Sequence, residues 1–77
     1  MPQSIRKTLA QNIRHFRELQ NLSQEGLGFK AGMSNVYISR IESEDFAVSI
    51  DTLDRIAKAL GVKPSILLEP EAHRRIP

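Results

Sequence analysis

The chain has no cysteine among its 77 residues, which excludes disulfides, zinc ribbons and thiol nucleophiles together. It holds no apolar run near the roughly 20 residues that a membrane span needs. Its N-terminus lacks the basic-then-apolar layout of a secretory signal, so a cytoplasmic location is expected. β-Branched runs and alternating apolar and polar stretches are scarce, which argues against strands. The two histidines, His15 and His73, lie far apart with no paired carboxylate or glycine-rich phosphate loop beside either. Nothing here assembles a catalytic group, and no enzyme activity, metal, cofactor or small-molecule ligand is expected.

What remains is a hydrophobic content of 40%, sufficient for a single small core, with turn residues at intervals that suit helices joined by short loops. An all-α fold follows. The formal net charge is only +2, but it is unevenly spread: residues 1–40 carry six basic and two acidic groups, residues 41–77 five basic and seven acidic. Such polarity suits one face for phosphate and another for something else.

Leu9, Ile13, Phe16 and Leu19 put an apolar stripe on a first helix from about Ser4 to Gln20. Asn21 tolerates the left-handed turn that ends it, and Leu22 folds back as its hydrophobic clip. Ser23 caps a second helix through about Ala31, with Glu25 favourable at its positive end. Gly26 and Gly28 each cost this helix up to about 1 kcal/mol relative to alanine, so something beyond local preference must hold it. Gly32 ends it, and Ser34 caps a third helix through about Glu42, with Ile38 and Ile41 on one face. Asn35, Val36, Tyr37, Ser39 and Arg40 fall largely elsewhere, so that helix presents a polar surface outward.

A loop from Ser43 to Val48 precedes a fourth helix capped by Ser49, whose Ile50, Leu53, Ile56, Ala57 and Leu60 form a further core stripe ended by Gly61. Pro64 opens a short last helix to Leu68, and Pro70 stops it. A single domain over residues 1–70 is expected, followed by a mobile tail over 71–77.

From Gln24 the tract QEGLGFKAGMSNVYISRIES obeys the geometry of two helices crossing steeply. Leu27, Ala31, Met33, Ile38 and Ile41 fill the space between them, Gly28 is small where they pass close, and Gly32 sits at the turn. With NLSQE at 21–25, YISRIE at 37–42 and SIDTLDRIAKALGV at 49–62, the chain resembles the lambda-repressor and Cro-like, or XRE, helix-turn-helix family from about Leu9 to Leu68.

The resemblance implies a five-helix lambda-repressor-like domain, with the helix-turn-helix at helices 2 and 3, that binds double-stranded DNA in sequence-specific fashion. It implies that Gln24 binds the DNA backbone and that Asn35, Val36 and Arg40 face base edges, with Ser34, Tyr37 and Ser39 beside them. Adenine for Asn35, a thymine methyl for Val36 and guanine for Arg40 are chemically suitable partners. Arg17 and Glu42 match the family's buried ion pair. A lone domain of this size buries little surface on DNA, so a homodimer on a palindromic operator is expected, through Ile66, Leu67 and Leu68. The size suits a restriction-modification controller, a phage-type repressor or an antitoxin. The same fold also admits a protein-binding module of antitoxin type.

The chain departs from the family at Glu44, where a glycine is usual, and the following Asp45 makes this loop acidic where basic phosphate contacts are common. Phe46 is expected to plug the core rather than wedge between bases.

Overall fold

The computed structural model describes residues 4–44, 46–70 and 72. Among these residues the secondary structure is helical throughout: α1 (Ile5–Leu19), α2 (Gln24–Ala31), α3 (Asn35–Glu42), α4 (Ile50–Leu60) and α5 (Pro64–Leu67). Serine starts four of the five. The hydroxyls of Ser4, Ser23, Ser34 and Ser49 accept from the amides of Lys7, Gly26, Tyr37 and Thr52, each satisfying a donor that has no partner inside its own helix.

The ends of α1, α2 and α4 share another device, in which the chain turns left-handed and two amides reach back to the last turn. After α1 this residue is Asn21, at φ 56°, and the Leu22 amide donates to Arg17 O over 3.0 Å. Leu22 then packs against the core as the expected clip. After α2 it is Gly32, and the Met33 amide donates to Gly28 O over 2.8 Å.

Ile13, Leu27, Ile38, Ile41, Ile56 and Leu67 are completely or almost completely buried, one or more from every helix, so all five helices share one core. This burial holds α2 together against its weak local preference, because Leu27 and Ala31 anchor it from one side. Gly28 is indispensable to the approach: a Cβ there would lie 2.5 Å from Met33 O and 3.2 Å from Ser34 C. Asn12, fully buried on α1, donates through Nδ2 to the carbonyls of Leu67 (3.0 Å) and Glu69 (2.9 Å), with Ile66 O at 3.4 Å. It thereby ties α1 to the carbonyls at the end of α5, adding a donor to Ile66 O and Glu69 O, which also accept the amides of Glu69 and Ala72.

Four positions differ from the sequence reading. Leu19 and Ile50 lie on the apolar stripes of their helices, yet they are 49% and 82% exposed. Each is the terminal residue of its helix; periodicity assigns a face but not how far the neighbouring element runs along it. Leu67, expected at a subunit interface, is fully buried, while its neighbours Ile66 and Leu68 are half-buried. A one-turn helix must commit its single inward position, and Asn12 fixes which residue that is. Ala72 is also buried, and its amide donates to Glu69 O, so packing continues past residue 70. The remainder of the expected tail, residues 71 and 73–77, lies outside the described residues. Among those described, no helix is long and apolar enough to cross a membrane.

Glu44 occupies the left-handed region at φ 68°, the conformation that glycine adopts without strain. Two substitutions should therefore move stability in opposite directions in urea titrations. Glu44→Gly is expected to stabilise by about 0.5–1 kcal/mol, and Gly28→Ala to destabilise by about 1–3 kcal/mol despite alanine's better helix propensity. Equal stability of Gly28→Ala and wild type would refute the close approach.

Candidate nucleic-acid interface

Helices α2 and α3 meet across the turn at residues 32–34, and both ends of this unit are tied to the rest of the domain. At the turn, Arg55 of α4 donates from Nε to Ala31 O over 3.1 Å and from Nη2 to Gly32 O over 2.7 Å. A cation at a helix C-terminus is favourable both to the carbonyls and to the helix dipole. At the other end lies Glu42, the last residue of α3, whose side chain is only 1% exposed.

Glu42 is the hub of the site. Arg17 donates from Nε to Oε2 over 2.7 Å and from Nη2 to Oε1 over 3.0 Å, a two-pronged pair, and its Nη1 reaches Leu22 O over 2.8 Å. Gln24 donates from Nε2 to the same Oε1 over 3.2 Å. Arg14 adds Nε to Oε1 at 3.4 Å and Nη2 to the Glu42 carbonyl at 3.3 Å. Burial pushes the Glu42 carboxyl up, but the bonds from Arg17 and Gln24, the Arg17 charge and the bond from Arg14 together hold it below the ordinary glutamate value. The bond that Arg17 donates to Glu42 raises the pKa of the Arg17 guanidinium; desolvation opposes it, and the charges of Glu42 and Glu18 add to it.

With Ile38 and Ile41 buried, α3 turns Asn35, Val36, Ser39 and Arg40 outward, all four exposed. Their spacings of one, four and five residues make one continuous strip. Among the described residues the side chains of Asn35, Ser39 and Arg40 make no hydrogen bond, so the strip does nothing for the fold. Tyr37 differs from this group. It is half-buried, its ring meets Phe46 edge-on at 4.8 Å between centroids, and its hydroxyl lies 3.5 Å from Thr52 Oγ1. Phe46 is thus a packing residue, as expected, and it draws Tyr37 towards the core. Ser34 uses its oxygen to cap α3, which leaves its hydroxyl proton available.

A family model described as helix-turn-helix matches residues 13–67, most of the chain. The chain belongs to the XRE-type helix-turn-helix family. It is a DNA-binding transcriptional regulator. The control protein C.BamHI of Bacillus amyloliquefaciens is 41% identical over 70 residues, covering 90% of this chain and 86% of that protein. The restriction-modification controller protein C.AhdI of Aeromonas hydrophila superposes with a TM-score of 0.78 at 31% identity, covering 80% of this chain and 94% of that one. The P22 c2 repressor, solved in complex with a synthetic operator, superposes with a TM-score of 0.74 at 33% identity, covering 79% and 92%.

Within this helix-turn-helix domain the Arg17–Glu42 pair stands where the resemblance put it, but Glu42 carries two further donors. Gln24 was expected only to face DNA; it also braces Glu42. Arg14 was missed, although it lies three residues before Arg17 on the same side of α1, and that spacing is a readable signal. Arg55 and Asn12 left no such sign, because their partners are backbone carbonyls distant in sequence.

Because folding lowers the Glu42 pKa, its contribution to stability is present above the ordinary glutamate value near 4.5 and is lost as pH falls through the folded-state value. Glu42→Gln should be less stable than wild type at pH 7, with the gap narrowing as pH falls below that point. Arg17→Ala, which leaves a buried carboxylate short of its main partner, should lose about 3–5 kcal/mol. Denaturant titrations from pH 7 to pH 3 would show both effects; a pH-independent gap for Glu42→Gln contradicts the charged hub.

Proposed function

We propose that this regulator reads a specific operator in the major groove with α3, as a cytoplasmic, non-enzymatic homodimer on a palindromic site. Asn35, Val36, Ser39 and Arg40 face the base edges, and Ser34 and Gln24 face the backbone. Arg40 is suited to a two-pronged bond with guanine, Asn35 to adenine and Val36 to a thymine methyl. The Tyr37 ring is committed to Phe46, so Tyr37 contributes its hydroxyl at most. The observation that carries this reading is the exposed, unbonded strip on a helix that is otherwise buried and braced at both ends. A controller role is supported by the likeness to C.BamHI and C.AhdI across most of their lengths.

Selection from a random duplex library should recover a palindromic motif, and Arg40→Ala should relax preference at one position in each half-site, losing about 1–3 kcal/mol of discrimination per contact. No motif, with wild type and Arg40→Ala binding equally weakly, would turn the search to a protein partner.

The homodimer reading draws on the apolar surface around α5. Leu68 borders a cleft of about 280 Å³ that Ile5, Leu9, Phe46, Val48 and Ile50 also line, and Ile5 and Ile50 are 63% and 82% exposed. With Leu67 withdrawn into the core, these residues join Ile66 and Leu68 as the pairing face. Sedimentation equilibrium at high micromolar concentration should give a dimer for wild type and a monomer for Ile50→Glu. A monomeric wild type, with and without operator, sinks the idea.

A further inference from the structure

We propose that Arg14 is a DNA-backbone contact that flanks the reading helix, binding a phosphodiester with the edge of its guanidinium that Glu42 leaves free. This rests on the reading of α3 as the groove helix. Arg14 is on α1, outside the helix-turn-helix unit, yet its head group is held at that unit's corner. Its Nε shares the Glu42 Oε1 atom with Gln24, the first residue of α2, and its Nη2 donates to the carbonyl that ends α3. It therefore sits between the start of one helix of the unit and the end of the other.

Two further features separate Arg14 from an ordinary surface arginine. The cluster is not neutral: Arg14 and Arg17 bring two positive charges to the single carboxylate of Glu42, and Arg17 takes both of its oxygens at the shorter distances. One positive charge is left over. It lies on the more exposed partner, since the Arg14 side chain is 55% exposed against 12% for Arg17. The guanidinium also has donors to spare. An arginine carries five N–H groups, and the two bonds to Glu42 use two of them. The remaining three, including both on Nη1, have no partner among the described residues. A planar cation, oriented by two bonds and still holding free donors, suits phosphate recognition. In the free protein its pairing at 3.4 Å contributes little, since an ion pair with one partner exposed to water is weakened by solvent screening and by the ordering of a long side chain.

The test is a salt titration of binding to the selected operator and to an unrelated duplex, for wild type, Arg14→Gln and Arg14→Lys, with thermal melts alongside. Each neutralised phosphate contributes about 0.9 to the slope of log K against log salt. Arg14→Gln should flatten that slope by about one unit per protomer, and about two for a dimer. Its affinity should fall to a similar degree on both duplexes, its base preference should stay unchanged, and its melting temperature should match wild type. Arg14→Lys, which keeps the charge, should restore most of the slope. A steep wild-type slope that Arg14→Gln reproduces overturns the contact alone. So does a loss of affinity that tracks a lowered melting temperature and leaves the slope unaltered. A wild type with no affinity for either duplex overturns the reading of α3, and the contact with it.

Discussion

One buried carboxylate organises this domain. Glu42 ends α3, and its donors come from α1 and from the start of α2, so three helices are referred to a single pair of oxygen atoms. A charge at this depth is tolerated because both of its oxygens accept hydrogen bonds, and Arg17 reaches both with a planar fork matched to the carboxylate. The arrangement is directional in a way that apolar packing is not. Ile38 and Ile41 would accept some rotation of α3 about its axis, whereas the paired bonds fix both the height and the rotation of its last turn.

The opposite end of the unit is secured by different chemistry. Arg55 binds two carbonyls at the turn, and Gly28 lets the backbone of that turn approach α2 closely. Neither contact involves a buried anion, so the two ends respond differently to solution conditions. The Glu42 end depends on ionisation, while the turn depends on steric fit and on a guanidinium bonded to carbonyls that stay neutral at any pH.

Much of this was legible in the sequence, and the parts that were share one property: they depend on near neighbours. A serine ahead of an apolar stripe, an asparagine or glycine behind one and the spacing of Leu27, Ala31, Ile38 and Ile41 all express constraints acting over a turn or two. Leu19, Ile50 and Leu67 went astray because burial depends on where another helix stops or where a one-turn helix faces. Asn12 and Arg55 were illegible for a related reason. Their partners are carbonyls 23 to 57 residues away, and every residue carries a carbonyl, so no side-chain pattern announces the pairing. Arg17 and Glu42 were found by resemblance. Nothing in their separation along the chain identifies them as partners, whereas Arg14 could have been added from its position on the face of α1 that carries Arg17.

Within the eight residues of α3, the side chains that hold the domain together and those that point outward are disjoint sets. Ile38, Ile41 and Glu42 belong to the first, and Asn35, Val36, Ser39 and Arg40 to the second. Substitutions at exposed positions free of structural bonds usually shift stability by no more than about 0.5 kcal/mol. The outward strip is therefore free to vary through evolution without endangering the scaffold. Descendants of this chain could diverge in what they recognise while keeping the same core, the same buried ion pair and the same turn, so that new specificity arises by drift on one surface rather than by rebuilding the fold.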